Sequence, residues 1–129
     1  MGEDTPLDSE IDEFILREMD TVPHLEALLL LWNSRPKEWG LDEMAAALYL
    51  DRGTARDILQ GLARRRLAER GEDEAYRYAE DAGERDALIG AVEKTYRRNL
   101  VRISRMIHSK ASPGVRDFAD AFRFKKERD

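Results

Sequence analysis

Four polar residues that could face the base edges of DNA lie in a short stretch near the middle of the chain: Arg52, Thr54, Arg56 and Gln60. Guanidinium groups read guanine and amide groups read adenine through paired hydrogen bonds, so these residue types are suited to base edges in a DNA groove. Arg64 and Arg65 follow along the same stretch, where their charges would hold phosphates. Asp57 lies among them, and it either accepts a hydrogen bond from cytosine or holds a neighbouring arginine.

The helix that must position these groups is predicted by the apolar residues between them. Its stripe is Ala55, Ile58, Leu59 and Leu62, at the spacing of an amphipathic helix. Asp51 is its expected N-cap. A first helix is expected just before it, with Gly40 as cap and with Asp42 and Glu43 at its positive end. The apolar face of that first helix is Met44, Ala45 and Leu48.

A hairpin is predicted after the second helix, with strands at 67–69 and 75–79 and a turn at 71–74. From Glu69 to Glu80 there are five acids and two arginines. Hairpins that enter or flank the minor groove usually carry arginine or lysine, and phosphate repels an acidic tip. Either this hairpin stays clear of a duplex, or the case for DNA binding is weaker than the fold suggests.

The order of these elements resembles the winged helix-turn-helix of bacterial regulators of the MarR and ArsR type. The resemblance rests on Leu50-Asp51, Thr54-Ala55-Arg56 and the closing run Leu62-Ala63-Arg64-Arg65-Arg66-Leu67. It implies a three-helix core with a two-stranded β wing, and a transcriptional regulator that binds double-stranded DNA. Arg66 stands where that family usually has glycine. The alternative is a winged-helix protein-interaction module that does not bind DNA, which the acidic wing and the net charge of −5 favour.

A second resemblance concerns the hairpin and the C-terminal tail. The segments Tyr76-Arg77-Tyr78-Ala79 and Phe118-Ala119-Asp120-Ala121-Phe122-Arg123-Phe124 resemble those of uncharacterised bacterial winged-helix-like proteins. This implies a fold and not a function. A small-molecule effector is not identified, although Trp39, Tyr76, Tyr78 and Tyr96 would line a pocket if they do not simply pack in the core.

Catalytic, cofactor and metal sites are not expected. The chain has no cysteine, and its two histidines, His24 and His108, are far apart in the sequence. The N-terminus lacks the apolar stretch of a signal peptide, and the longest apolar run, Ala27 to Trp32, is too short to span a bilayer. A single cytoplasmic domain of 129 residues, without membrane association, is therefore expected.

Helices are also predicted on both sides of this domain, which spans residues 21–82. Residues 1–20 form an acidic helix with Ser9 as its cap, and Thr21 caps a strongly apolar second helix with Pro23 in its first turn. Residues 83–129 form one long helix, from about Gly83 to Ser109, and a short final helix that starts at Ser112-Pro113. The apolar face of the final helix is Val115, Phe118 and Phe122, which suits either core packing or a partner's groove.

The charges and apolar seams of the terminal helices predict a homodimer. The first twenty residues carry eight acids and one arginine, whereas Lys94 to Lys110 carries six cations and no acid. The expected interface residues are Phe14, Ile15, Leu100, Ile103 and Ile107. If the basic residues from Lys94 to Lys110 do not serve a dimer, four alternatives remain for them. They form a solvated surface, or they bind phosphates along DNA, an anionic membrane or an acidic partner. Such a dimer would place two recognition helices about 34 Å apart.

Overall fold

The computed structural model describes residues 7–81 and 83–111, which form six α-helices and one two-stranded sheet. The helices are α1 (Asp8–Glu18), α2 (Val22–Asn33), α3 (Leu41–Leu48), α4 (Arg52–Arg64), α5 (Glu84–Arg98) and α6 (Leu100–Ala111). The strands are β1 (Ala68–Arg70) and β2 (Tyr76–Tyr78). The mostly helical class with a small antiparallel sheet is confirmed. The short final helix expected after Ser112 lies outside the described residues.

The start of α1 differs from the prediction. Ser9 is not the N-cap, because the helix already begins at Asp8, with Leu7 before it and no side-chain cap. Asp8 and Glu10 place negative charge in the first turn, which stabilises this end without a hydroxyl cap. The predicted apolar face is confirmed, since all four of its members are buried: Ile11, Phe14, Ile15 and Met19.

The central helix of the fold is α2. Thr21 caps it as predicted, because its side-chain oxygen accepts a hydrogen bond from the His24 backbone N–H at 3.4 Å. Its buried residues are Leu25, Ala27, Leu28, Leu29 and Leu31. Full burial of one such leucine contributes about 1.5–3 kcal/mol. The helix contacts α3, α4, α5, α6 and β2, so the core is built around it.

The predicted pair of short helices is present as α3 and α4, which pack on each other and on α2. Gly40 is the cap residue of α3, and Asp51 caps α4 by accepting a hydrogen bond from the Thr54 backbone N–H at 3.0 Å. Tyr49 joins the two helices in the left-handed conformation, with φ 58°. The predicted stripe of α4 is buried: Ala55, Ile58, Leu59 and Leu62.

The hairpin follows α4, with its strands one residue away from the predicted bounds. The antiparallel register pairs Ala68 with Tyr78 and Arg70 with Tyr76. Trp39 adds one further bridge to Tyr76 from the segment before α3, with backbone hydrogen bonds of 2.7 and 2.8 Å. Three packed helices followed by a hairpin are consistent with a winged-helix layout.

Arg66 makes the turn out of α4 at which the resemblance has glycine. Its φ is 62°, in the left-handed region that glycine enters most easily, and a side chain there costs about 1 kcal/mol. Its carbonyl oxygen accepts a hydrogen bond from the Arg85 guanidinium. The chain therefore makes this turn without glycine.

The predicted single long helix from Gly83 to Ser109 is wrong, because α5 ends at Arg98 and α6 starts at Leu100. Asn99 lies between them with φ −130° and ψ 44°, outside the helical region. One straight helix of that length would extend about 40 Å, well beyond the small core that its apolar seam must cover. The break lets both α5 and α6 pack against α1. Among the described residues, no helix is both long and apolar enough to cross a membrane.

The apolar residues expected at a subunit interface mostly lie inside one chain. Phe14 and Ile15 of α1 and Ile103 and Ile107 of α6 are all at most 3% exposed. They are therefore core residues of this chain and not part of a subunit surface, because the break at Asn99 folds α6 onto α1 of the same chain. Leu100, the fifth expected residue, differs from them and is 52% exposed.

The expected charge pairing between the terminal helices also occurs within one chain. The guanidinium of Arg102 donates two hydrogen bonds to the Asp12 carboxylate, at 3.1 and 3.2 Å. The Lys110 ammonium donates to the Met19 carbonyl oxygen at 2.9 Å and lies 3.9 Å from the Asp20 carboxylate. These contacts fix the direction in which α6 runs along α1. A homodimer, if it forms, needs another surface and stays a prediction.

A buried tyrosine makes the fold sensitive to alkaline pH. The Tyr78 hydroxyl donates to the Asp86 carboxylate at 2.7 Å, and its ring packs edge-on against Trp32. Burial and the neighbouring carboxylate raise the pKa of Tyr78 above its usual value of about 10. Its contribution to stability is therefore present below pH 10 and is lost as the pH rises from there towards the folded-state pKa.

We expect Tyr78→Phe to lower the free energy of unfolding by about 1 kcal/mol at neutral pH, because one hydrogen bond is lost. The variant should also show a weaker decline in stability above pH 10. Urea denaturation of both proteins between pH 7 and 11 measures this. Parallel declines in the two proteins would contradict the assignment.

Candidate binding surfaces

The outward face of α4 brings together three of the predicted DNA-binding residues and separates others from them. Arg52, Arg56 and Gln60 succeed one another along this face, whereas Arg64 lies at the C-terminal end of the helix and lines a cavity with Asp57 and Gly61. Gln60 is half-buried, whereas Arg64 is exposed. Thr54 is a capping residue of α4, because its hydroxyl donates to the Asp51 carboxylate at 2.6 Å. Its hydrogen bonds hold the pKa of Asp51 below the usual value.

The two arginines in the first half of this face are paired with carboxylates. The Arg52 guanidinium lies 2.9 Å from Asp42, at the start of α3. The Arg56 guanidinium lies 3.3 Å from Glu74 in the hairpin turn, and Arg70 approaches the same carboxylate at 4.0 Å. Each exposed pair contributes at most about 1 kcal/mol to stability. These pairs oppose DNA binding, because each arginine has an acid beside it that repels phosphate.

Arg65 lies on another side of the helix. Its guanidinium is 3.3 Å from Glu18 and 3.5 Å from Asp20, so it ties the end of α4 to the corner between α1 and α2. A polar cavity of about 190 Å³ lies at this corner, lined in part by His24 and Arg64. Burial lowers the pKa of the His24 imidazole, which favours its neutral form. Arg65 therefore holds the corner together within the chain.

The hairpin turn next to α4 is acidic, as the sequence predicts. Glu72, Asp73 and Glu74 form a short 3₁₀ turn, in which Asp73 and Glu74 have positive φ. Residues 37–80 as a whole carry eight cations and ten acids. Protein surfaces that bind DNA are much more positively charged than this.

An apolar groove between α2, α3 and α5 is a feature that the sequence analysis does not predict. It has a volume of about 390 Å³ and also reaches the first residue of α6. Its apolar lining includes Leu29, Leu30, Leu48, Tyr49 and Leu100. The complete lining, which includes Glu93, Tyr96 and Arg97 of α5, comes from four helices, so no periodicity within a single helix reveals the groove.

The edge of this groove carries acids and one arginine. Glu93 is held by Arg97 and by Asn33, whose amide donates to the carboxylate at 3.1 Å. Glu26 accepts a hydrogen bond from the Tyr96 hydroxyl at 3.4 Å. Burial raises the pKa of Tyr96, so this hydroxyl stays protonated at neutral pH and remains a donor.

Tyr49 is the most unusual residue of the groove. Its side chain is 94% exposed, although it is a large aromatic residue. It also occupies a left-handed C-cap position, which glycine or asparagine fills at lower cost. Neither packing nor backbone geometry within the described chain explains a tyrosine here. In the sequence, Tyr49 stands in the turn between the two helices. A tyrosine at that position indicates only that the helical pattern is interrupted, so the sequence does not identify it as a binding residue.

The remaining expected sites contribute no chemistry of their own. Tyr76 and Tyr78 are buried in the core, and Tyr96, which is also buried, contributes to the lining of the groove. Within residues 7–81 and 83–111, no three side chains of histidine, aspartate or glutamate are grouped so as to hold a metal ion. Comparisons with family models, with curated proteins and with solved structures find no match to this chain.

Proposed function

We propose that this protein is a winged helix-turn-helix used as a protein-interaction module, and that its binding surface is the groove between α2, α3 and α5. The observation that carries the proposal is Tyr49, which is 94% exposed at the edge of this groove in a strained backbone conformation. Tyrosine is enriched among the residues that dominate binding energy at protein interfaces. A partner that covers the ring would offset the cost of keeping it there.

The chemistry of the groove defines the partner as an amphipathic helix with a basic flank. Leucines form the floor, and Leu100 is a second large apolar side chain that is more than half exposed. Apolar grooves of this kind receive the apolar face of a helix. Glu26 at the edge would attract a cationic side chain next to that face.

DNA binding is the second candidate function. It is favoured by Arg64, which is exposed at the C-terminal end of α4 and has no ion-pair partner in the described part of the chain. Against it stand the carboxylates beside Arg52 and Arg56 and the excess of acids over residues 37–80. Arg52, Thr54, Arg56, Gln60, Arg64 and Arg65 remain the proposed contact residues for this candidate.

The groove is tested by titrating the full chain, isotope-labelled, with a synthetic helical peptide of leucine and lysine in an amphipathic pattern. We expect shifts in the methyl resonances of Leu29, Leu48 and Leu100. Tyr49→Asn should weaken binding by about tenfold or more, because an anchoring ring is lost. The same change should leave stability unchanged or raise it by up to about 1 kcal/mol, because asparagine tolerates the left-handed conformation.

Tyr49→Phe is the matched control, since it keeps the ring and the backbone conformation and should bind almost as wild type does. Peptide shifts confined to other surfaces would rule out the groove. Micromolar affinity for duplex DNA that falls steeply with salt would instead establish the second candidate.

A further inference from the structure

We propose that the polar cavity between α4 and the corner of α1 and α2 is a binding site for a small zwitterion, of the size and chemistry of an α-amino acid. The cavity shares no lining residue with the apolar groove, so this inference is independent of the proposed function. Its volume is about 190 Å³. That is several times the roughly 30 Å³ of one water molecule and less than the roughly 300 Å³ at which pockets for drug-sized ligands begin.

Gly61 lines this cavity and lies within α4, three residues before the helix ends. Glycine inside a helix is destabilising relative to alanine. The φ of Gly61 is not positive, and a Cβ at this position would lie 3.7 Å from the Arg64 Nη2 atom and 3.9 Å from the His24 Nε2 atom. Both are ordinary contact distances, so neither the backbone nor the neighbouring side chains require glycine here. A ligand that lies against the helix would explain why this space is left open.

Two hydrogen-bond donors converge on the space beside Gly61. The same two distances place Arg64 Nη2 and His24 Nε2 within 4 Å of one point above the glycine. The Thr21 hydroxyl oxygen accepts a hydrogen bond from the His24 backbone N–H and lies 2.7 Å from His24 Nδ1. Its proton is therefore free to bond Nδ1, which leaves the proton of the neutral ring on Nε2 as a donor. An arginine and a second donor aimed at one point suit a carboxylate.

An acid lies on the other side of Gly61. Asp57 is exposed, lines the cavity and precedes Gly61 by one turn of α4. Within residues 7–81 and 83–111, neither Asp57 nor Arg64 has an ion-pair partner, and the two do not pair with each other. Asp20 also lines the cavity, but Arg65 lies 3.5 Å from its carboxylate. Asp57 is therefore the carboxylate that a cationic group of a ligand would meet.

The charge of the lining distinguishes a zwitterion from a simple anion. Two arginines and two aspartates line the cavity, and burial lowers the pKa of the His24 imidazole, which favours its neutral form. The net charge of the lining is therefore zero. Phosphate would bring uncompensated negative charge next to two carboxylates, whereas a zwitterion brings none. Its carboxylate would face Arg64 and its ammonium group would face Asp57.

The site is tested by titrating the full chain, isotope-labelled, with each of the common L-amino acids in turn. We expect at least one of them to shift the backbone amides of His24, Asp57 and Gly61 in a saturable way and to raise Tm. Acetate and methylammonium each carry only one of the two charges. They should bind at least about tenfold more weakly, because a charge-assisted hydrogen bond is lost in each case.

Gly61→Ala is the most informative variant, because its methyl group occupies the space beside the helix at ordinary contact distances from the protein. It should abolish the amide shifts, while the Tm of the free protein stays the same or rises, since alanine is the better helix former. Gly53→Ala is the matched control on the same helix, outside the cavity, and should bind as wild type does. Asp57→Asn and Arg64→Gln, both at exposed positions, should each weaken binding by about tenfold or more.

Three results would overturn the inference. Binding that is unchanged in Gly61→Ala would place the amino acid elsewhere on the protein. Saturable binding of inorganic phosphate, with no amino acid bound, would identify a simple anion site. Absence of shifts at His24, Asp57 and Gly61 with every amino acid would leave the cavity without this ligand. The groove is unaffected by all three results, because its peptide is detected at different residues.

Discussion

Replacement of Ile103 by alanine is expected to lower the free energy of unfolding by about 2–5 kcal/mol. Ile103 has no exposed surface and belongs to the core that α1 and α6 share. Truncation removes buried methyl groups and leaves a cavity, because the neighbouring helices move together only in part. Urea denaturation followed by circular dichroism measures the change.

Val101→Ala is the matched control, two residues away on the same helix. Val101 is 60% exposed, so the substitution should change stability by less than about 0.5 kcal/mol. Both values should be independent of protein concentration, because the contacts of Ile103 lie within one chain. Losses of equal size in the two variants, or a loss that grows on dilution, would place Ile103 at an interface between chains instead.

Reversal of charge in the hairpin turn is expected to raise the affinity of the protein for DNA. Changing Glu72, Asp73 and Glu74 together to lysine removes the acid next to Arg56 and adds three cations. Each new phosphate contact releases counterions and steepens the dependence of log K on log salt by about 0.9. We expect affinity for random duplex DNA to rise by about tenfold or more at low salt. Fluorescence anisotropy over a series of salt concentrations measures both quantities.

The matched control is a second triple variant, in which the net charge changes by the same amount on a different surface. Asp8, Glu10 and Glu13 are exposed on α1, and their replacement by lysine adds the same charge away from α4. Equal gains in affinity for both triple variants would show a general charge effect and no role for the face of α4. Micromolar binding by the wild type that weakens on reversal would mean that the acidic turn makes useful contacts, and it would favour DNA binding as the function.

Local chemistry made several elements of the fold predictable. Thr21 and Asp51 accept hydrogen bonds from backbone groups three residues ahead, so the caps of α2 and α4 depend on a few neighbouring residues. The apolar faces of α1 and α4 follow from spacing alone. The hairpin was also foreseeable, with its strands one residue away from their true bounds.

The break at Asn99 and the groove could not be predicted in this way. The apolar spacing from Leu88 to Ile107 continues across Asn99 without interruption, so a pattern along one helix contains no sign of the turn. The position of the break at Asn99 depends on the size of the folded core. That size exists only once the helices have packed together. It decides that Ile103 is buried while Leu100 is exposed.

The features of the candidate binding surfaces also fall into those that the sequence determines and those that depend on tertiary packing. The sequence by itself determined which residue types lie on the outward face of α4 and that the hairpin turn is acidic, because both depend on spacing within one element. Only the tertiary structure decided that Asp42 and Glu74 lie beside the arginines of that face, and that four helices leave an apolar groove next to Tyr49. Contacts between distant segments depend on how the helices pack, and each helix could present its polar and apolar faces equally well in another arrangement.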